Sequence, residues 1–537
     1  MNYTAHVFAS SPKDPYSPIL LDATRPSRCI LWLEYISTVK RTAVGLRKVG
    51  LADQEAVGLL SYNDIYYYLL GDGAIAAGAT FAGIPTFVKP TELATAITAA
   101  GLKWLFVAPE FLELVMVTAD SIGFPAERVM VFDPPGLEPY TGSQQGFSKL
   151  INDADESLFQ NANQGKDPKA QISHQLFTSG TTGAVKSAQV SHTVQLDRMS
   201  YVMAQTSSNK ERTLQTIGMY HASGLVSHCG ALSGAGPLYV SKLTDASTIV
   251  DMIGSLKITR AMLTPRIMEE VVGNTDGLAN ATAALKSLRH VRFGGSPTSA
   301  DLVRAFKNML PSEASLWITY GCTESLRVAS APIDEKWSEG CVGVPWSDVE
   351  VKIVNPATFE AVTAGSSGEI CVRSASTFNG YYQAPAANES AFLPGERGWF
   401  RTGDKGCFHP TASELFITGR FKEIFKVNYE EVSPREVENE LLKHGSVAEA
   451  FITSTEARDN NRDRECMAYI VRKKDTRLTA QEVVDFVASK LAHHKAPTGG
   501  VIFCETIPRG AMGKVLKKAL VDVQALYGSS RFLSITA

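Results

Sequence analysis

The chain has 537 residues, of which 44% are hydrophobic, with 52 basic side chains against 55 acidic ones. That length predicts about three or four structural units and ample apolar material for large cores. The near-balanced charge excludes the basic surface of a nucleic-acid-binding protein, and eight cysteines without a C-x-x-C pair argue against a zinc site or disulfide framework and fit a reducing compartment.

The segment from Met1 to Pro18 lacks the apolar core of a secretory signal. The most apolar stretch, Gly73 to Val88, is too short and too interrupted to span a bilayer. The C-terminal Ile535-Thr536-Ala537 is not a peroxisomal S-K-L signal. A cytoplasmic location, with neither membrane nor nucleic acid as partner, is the expectation.

In chain order, a helix is predicted around Leu31 to Val49, then a short buried strand at Ala56 to Leu60. Asn63-Asp64 are expected to cap a helix through about Ala77. Gly83-Ile84-Pro85 is expected to begin the next strand, followed by a helix at Leu93 to Ala100 and a strand at Trp104 to Val107. Strands alternating with helices imply a parallel sheet covered by helices. Residues 136–170 are polar and read as a surface connection. The βα rhythm returns at Leu214 to Met219, Ala261 to Leu263, Val291 to Phe293 and Leu316 to Thr319. Past Gly340 the pattern changes to short alternating runs, such as Val349 to Val354 and Glu369 to Arg373, which predict a β-rich subdomain. From Gly419 a compact α+β unit is predicted. Its helices open at two capping boxes, Ser433-Pro434-Arg435-Glu436 and Thr479-Ala480-Gln481-Glu482, and the first ends near Gly445.

The chemistry begins at Thr178-Ser179-Gly180-Thr181-Thr182-Gly183-Ala184-Val185-Lys186, which leaves the apolar pair Leu176-Phe177. Glycines let the backbone turn so that successive N–H groups converge on an anion, and hydroxyls and a lysine add donors and charge. It is not a P-loop, because Ala184 and Val185 separate Gly183 from Lys186. On its own the stretch reads equally as a polyphosphate cradle or as a surface loop.

Further short motifs follow: Tyr220-His221 before Ala222-Ser223-Gly224-Leu225, Gly294-Gly295-Ser296-Pro297, Tyr320-Gly321-Cys322-Thr323-Glu324, Arg401-Thr402-Gly403-Asp404, Gly419-Arg420-Phe421-Lys422-Glu423, and Gly513-Lys514. In this order the set resembles the adenylate-forming superfamily of acyl- and aryl-CoA ligases, luciferases and nonribosomal-peptide adenylation domains, from about Ala56 to Leu520. The resemblance implies an α/β fold: a large N-terminal AMP-binding domain over residues 1–419, with parallel-type sheets and a β-rich subdomain, and a small mobile C-terminal domain over 420–537.

The resemblance further implies that a carboxylate attacks the α-phosphate of ATP, giving an acyl-adenylate and pyrophosphate. Thr178, Ser179, Gly180, Thr181, Thr182, Gly183 and Lys186 would hold the β- and γ-phosphates. Glu324 would carry Mg²⁺, a hard cation that takes a carboxylate plus phosphate oxygens. Tyr320 would stack on adenine, with Gly294, Gly295, Ser296 and Gly321 around the nucleotide, and Thr323 would bond the α-phosphate. Asp404 would accept from the ribose hydroxyls, and Arg420 would reach ribose or phosphate. His221, Ala222, Ser223, Ser227 and Gly294 would line an acyl pocket for a neutral aromatic or medium aliphatic acid. Lys514 would bond the carboxylate and α-phosphate, Lys422 would be the hinge, and Lys426 would approach the phosphate in a second domain orientation.

Two departures from the family pattern stand out. Val185-Lys186-Ser187 replaces the usual Pro-Lys-Gly. In Lys426-Val427-Asn428-Tyr429-Glu430-Glu431-Val432, Tyr429 stands where CoA ligases have glycine. A tyrosine ring would narrow a thiol tunnel, and Glu430 and Glu431 put carboxylates near the path of anionic CoA. Two outcomes are therefore carried forward. The first is transfer to CoA as a thioester; the second is transfer to an amine, or to the thiol of a carrier protein acting in trans.

Overall fold

In the computed structural model the described residues are 2–10, 14–179, 185–204, 211–242, 245–273, 278–396, 398–421, 423–427, 430–456, 464–509, 515–516, 519–520 and 532–533. Among them the elements form two large sheets, a two-stranded ribbon and a four-stranded sheet. The seven-stranded sheet has a parallel core of Ala56–Leu60, Thr80–Ile84, Leu102–Val107 and Val129–Val131. Its near-continuous apolar strands are buried on both faces, as helix-covered parallel strands must be. At its edge lies the antiparallel hairpin Ile172–Ser179 and Val185–Ser191, and the short strand Gly380–Tyr381 is added outside that.

The thirteen-stranded sheet joins the second βα run to the β-rich segment. Strands Thr213–Gln215, Arg260–Leu263, His290–Gly294 and Ser315–Tyr320 run parallel. Ala329–Pro332 and Cys341–Pro345 then turn the sheet antiparallel and carry it into Leu415–Arg420, Phe400–Phe408, Gly368–Arg373 and Glu350–Val354. The β-rich segment is thus hydrogen-bonded onto the end of the parallel run. That continuity places Asp404 beside Tyr320.

Three local expectations are corrected. Asn63 does not cap the helix Tyr67–Ala76, whereas Asp64 supports its start, its Oδ1 accepting the N–H of the N-cap residue Tyr66 at 2.9 Å. Asp64 also pairs with Arg28 at 2.7 Å, and Asn63 is turned instead to Ile217 and Met219. Gly83-Ile84 ends the strand Thr80–Ile84 and does not begin one. Residues 136–170 include the helix Phe147–Asn152, whose Phe147, Leu150 and Ile151 are buried core residues. All eight cysteines are free thiols. Among the described residues no helix is long and apolar enough to cross a membrane.

The small C-terminal unit packs helices Pro434–Leu442 and Ala480–Lys490 on strands Val447–Glu456, Arg464–Arg472 and Gly500–Phe503, around Val437, Leu441, Ile452, Val483, Val487 and Val501. The capping box at Thr479 and Glu482 forms. The one at Ser433 does not form: the Ser433 hydroxyl is turned to the Thr418 carbonyl, to which it donates at 3.4 Å, and the Glu436 carboxylate accepts from Lys495 at 2.7 Å.

Candidate active site

Strand pairing builds the hairpin. Phe177 stands opposite Ser187 and Thr178 opposite Lys186, so the lysine lies level with the first hydroxyl of the motif. The connection carrying Gly180, Thr181, Thr182 and Gly183 lies outside the described residues, as do Lys422, Asn428, Tyr429 and Lys514. Ser179, Lys426, Glu430 and Glu431 are described in backbone only. The ribbon pairs Lys426 with Glu431 and Val427 with Glu430.

The parallel strands deliver the next residues. Gly294 ends His290–Gly294 opposite Thr319. A side chain there has no room, since a Cβ would lie 2.2 Å from the Thr319 carbonyl oxygen. Gly295 takes φ +87° and has nothing within 4 Å of a would-be Cβ, so it turns the chain out of the sheet and leaves bare backbone facing open space. Ser296 follows, half-buried. Tyr320 ends its strand, and Gly321 passes under the Leu326 carbonyl.

Tyr320 donates its hydroxyl to the Asp404 carboxylate at 2.6 Å, although the two residues are 84 positions apart. Arg420, opposite Asp404 in the neighbouring strand, holds the other oxygen at 2.7 Å. Burial raises the Asp404 pKa, and the adjacent guanidinium opposes the rise. Burial, then the Asp404 carboxylate, pushes the Tyr320 phenol well above its ordinary value. The carboxylate has about four acceptor directions, so two remain after these bonds.

Glu324 is buried at 8% exposure, and its carboxylate accepts the Tyr381 hydroxyl at 2.7 Å. Burial, then Glu324, raises the Tyr381 phenol far above its usual range. The Lys186 ammonium sits 4.9 Å from the Tyr381 ring centroid. Tyr381 is itself fixed by pairing with Ala188 and by two Asn388 bonds to its backbone. One tyrosine therefore touches both the lysine of the hairpin and the carboxylate expected to hold metal. A buried carboxylate with one hydroxyl donor among the described residues, whose donor tyrosine also meets a lysine, suits one hard cation shared with phosphate oxygens. Among the described residues no cluster of three or more metal-ligating side chains forms a dedicated cage.

His221 is the N-cap of helix Ala222–Leu232, and its Nδ1 accepts the Ser223 amide at 3.2 Å. That bond leaves Nε2 to carry the proton of the neutral ring. The loop leading to it is anchored by Asn63, whose amide takes the Met219 N–H at 2.7 Å and donates to the Ile217 carbonyl at 3.2 Å. Ala222 is buried, and the Ser227 hydroxyl bonds its own helix at the Ser223 carbonyl, 3.3 Å away. The Tyr220 ring meets the edge of half-exposed Phe87 at 6.2 Å.

Sequence reasoning missed Tyr381 and Asn63 as site residues. For Tyr381 the available signal was the turn pair Asn379-Gly380 before it; for Asn63 it was an asparagine straight after a buried strand, which was read as a cap.

The description AMP-binding enzyme matches residues 27–382, and AMP-binding enzyme C-terminal domain matches residues 436–514. The chain is 30% identical over 522 residues to a phenylacetyl-CoA ligase of Aspergillus niger, covering 96% of this chain and 95% of the relative. ATP-bound MatB from Rhodopseudomonas palustris superposes with a TM-score of 0.83 at 24% identity, over 97% of this chain and 99% of that one. The amide bond synthetase McbA from Marinactinospora thermotolerans gives a TM-score of 0.80 at 22% identity, over 97% and 99%.

Proposed function

Since the chain belongs to the AMP-binding enzyme family, we propose that it is an AMP-forming ligase that activates an aromatic or medium aliphatic carboxylic acid and passes the acyl group from the adenylate to CoA. The observation that carries the reading is the Tyr320–Asp404–Arg420 constellation at the end of a parallel run, beside the bare backbone of Gly295. Flat open backbone and an aromatic ring suit a purine, and a carboxylate with two free acceptor directions suits vicinal ribose hydroxyls.

In adenylation a carboxylate oxygen forms a bond to the α-phosphorus while the bond to the pyrophosphate oxygen breaks. Glu324 would hold Mg²⁺, which when bound supplies neutralising charge to the phosphate oxygens. Lys186 adds a cation on the hairpin side, and Tyr381 keeps Glu324 and Lys186 in register. Thr323 donates toward the α-phosphate, and Lys514 bridges carboxylate and α-phosphate in one domain orientation. His221, with its proton on Nε2, walls the acyl pocket next to Ala222, Ser223, Ser227 and Gly294. The domain boundary lies at 419/420 with the hinge at Lys422, and Lys426 acts in the second orientation.

CoA is the favoured acceptor, in keeping with the phenylacetyl-CoA ligase relative. Tyr429 in place of glycine, with Glu430 and Glu431 beside it, supports a second reading in which an amine or a carrier-protein thiol takes the acyl group. The deciding experiment supplies purified protein with Mg²⁺, ATP and a panel of carboxylic acids, then offers CoA or amines and follows products by mass spectrometry. Saturable thioester formation supports the CoA reading, and an inert CoA with amide product replaces it. Absence of pyrophosphate exchange with every acid overturns the adenylation reading itself.

A further inference from the structure

The helix His192–Ala204 continues directly from the hairpin strand that bears Lys186. At its centre Arg198 is 2% exposed. Its Nη2 donates to the Thr323 carbonyl at 3.1 Å, the Glu324 carbonyl at 3.4 Å and the Ser376 carbonyl at 3.0 Å, and its Nε donates to Ser376 again at 3.2 Å. Nη1 has no hydrogen-bond partner among the described residues. No carboxylate pairs with it there either: the neighbouring Asp197 takes the Ser376 hydroxyl and faces Arg327 at 3.5 Å.

A buried guanidinium without a carboxylate is costly, and an apolar side chain would serve packing better. What Arg198 does that a hydrophobe cannot is join two segments. One is the peptide of Thr323 and Glu324. The other starts at Ser376 and returns to Glu324 twice, through the Phe378 N–H to its carbonyl at 2.7 Å and the Tyr381 hydroxyl to its carboxylate at 2.7 Å. Arg198 closes this loop from the helix that follows the phosphate hairpin.

We propose that Arg198 is a positioning residue that sets the Thr323–Glu324 peptide, and through it the metal–triphosphate end of ATP. This rests on the assignment of Glu324 given under the proposed function.

The test uses full-length Arg198→Met, Arg198→Lys, Glu324→Gln and the Arg198→Met/Glu324→Gln double variant. Two quantities are read: pyrophosphate exchange against Mg²⁺ and ATP, and the rise in melting temperature on adding Mg²⁺ with a non-hydrolysable ATP analogue. Because misplacement by about 1 Å costs on the order of 100-fold, Arg198→Met is expected to lose about 10- to 100-fold in kcat/KM for Mg²⁺-ATP, with the KM for the acid unchanged. The lysine variant, which still donates to carbonyls, is expected to regain about tenfold of that loss. If Arg198 acts through Glu324, the double variant falls no lower than Glu324→Gln within about twofold, since effects routed through one residue do not add. The ligand-induced thermal shift should shrink in Arg198→Met. A methionine variant with a lower melting temperature but wild-type exchange and a full thermal shift overturns the proposal, as does a double variant whose losses multiply. Should the methionine variant fail to fold, Arg198→Gln, whose shorter side chain cannot span the same carbonyls, carries the same readouts, and wild-type exchange with an undiminished thermal shift in it counts against the proposal. Failure of exchange in the wild type defeats the adenylation reading instead, so the two failures are separable.

Discussion

Gly294→Ala and Gly295→Ala are adjacent substitutions expected to impair ATP use by different routes. At Gly294 the added methyl would lie 2.2 Å from the Thr319 carbonyl oxygen, whereas carbon–oxygen contacts ordinarily close at about 3.3 Å. The deficit of about 1.1 Å falls on backbone, in the strand directly paired with Gly294, so no rotamer relieves it. Overpacking of this kind costs about 1–3 kcal/mol. The strand that must yield ends at Tyr320, whose hydroxyl bond to Asp404 is 2.6 Å. A displacement of about 1 Å stretches that bond beyond any hydrogen-bond length and lowers kcat/KM for ATP by on the order of 100-fold. At Gly295 the methyl meets nothing, and the cost is the left-handed backbone, about 1–2 kcal/mol. There the fold should hold while the KM for ATP rises, because the methyl occupies the surface offered to the base. Pyrophosphate exchange at varied ATP, with thermal unfolding of both variants, reads the contrast. Wild-type ATP kinetics in Gly294→Ala would refute the reasoning.

Tyr381→Phe strands the Glu324 carboxylate without its hydroxyl donor, which costs about 1–3 kcal/mol. Its melting temperature should fall without ligand and be recovered by Mg²⁺ with an ATP analogue, giving a larger ligand shift than wild type. Asp72, buried among Tyr3, Tyr35 and His228, accepts from Tyr3 at 3.3 Å, from Tyr35, and lies 3.3 Å from His228 Nε2. Asp72→Ala takes the acceptor from Tyr3 and leaves Tyr35 only His228 Nε2, so it is expected to lose about 1–3 kcal/mol in denaturant unfolding, and an unchanged unfolding free energy would contradict the assignment. Burial holds His174 at about 3 and His192 at about 4, well below the ordinary histidine value. The unfolded chain takes up protons below about pH 6.5 that the folded chain refuses. This contribution is therefore complete above that pH and is lost as pH falls toward 4 and then 3. The limiting slope for two protons is about 2.7 kcal/mol per pH unit. Hydrogen exchange in Ile172–Ser179 and the following helix at pH 7.5, 6 and 5 measures it, and a flat profile contradicts the assignment.

The parts of this fold that were legible in the sequence are those whose cause is local. Ala56–Leu60 was readable because a doubly covered parallel strand must be apolar throughout. The helix Ala480–Lys490 was readable because Thr479 and Glu482 satisfy each other's backbone. The same logic failed at Ser433-Glu436 and at Asn63, where residue types suited to capping are taken by distant partners, Thr418, Lys495, Ile217 and Met219, while Asp64 serves both the Tyr66 N–H and Arg28. Capping chemistry is a local preference that one long-range bond of similar strength overrides. The joining of the β-rich segment to the parallel run was likewise unreadable, since antiparallel pairing of Ser315–Tyr320 with Ala329–Pro332 follows from register and leaves no sequence signature.

The same division runs through the site. Gly294, Gly295, Tyr320 and Asp404 fall within short motifs because each meets a backbone or ligand demand at one point of the chain. Tyr381 and Arg198 act between points: the first joins Lys186 to Glu324, the second joins Ser376 to Thr323 and Glu324. Either residue, seen alone, is an ordinary tyrosine after a turn or an arginine within a helix. Only unusual burial marks them, a guanidinium with no carboxylate ion pair among the described residues and a phenol held by a carboxylate. The energetic penalty of such burial persists only where the contacts it maintains are needed elsewhere. In this chain those contacts converge on Glu324. Substitutions at Tyr381 and Arg198 should therefore report on the Mg²⁺-ATP end of the reaction.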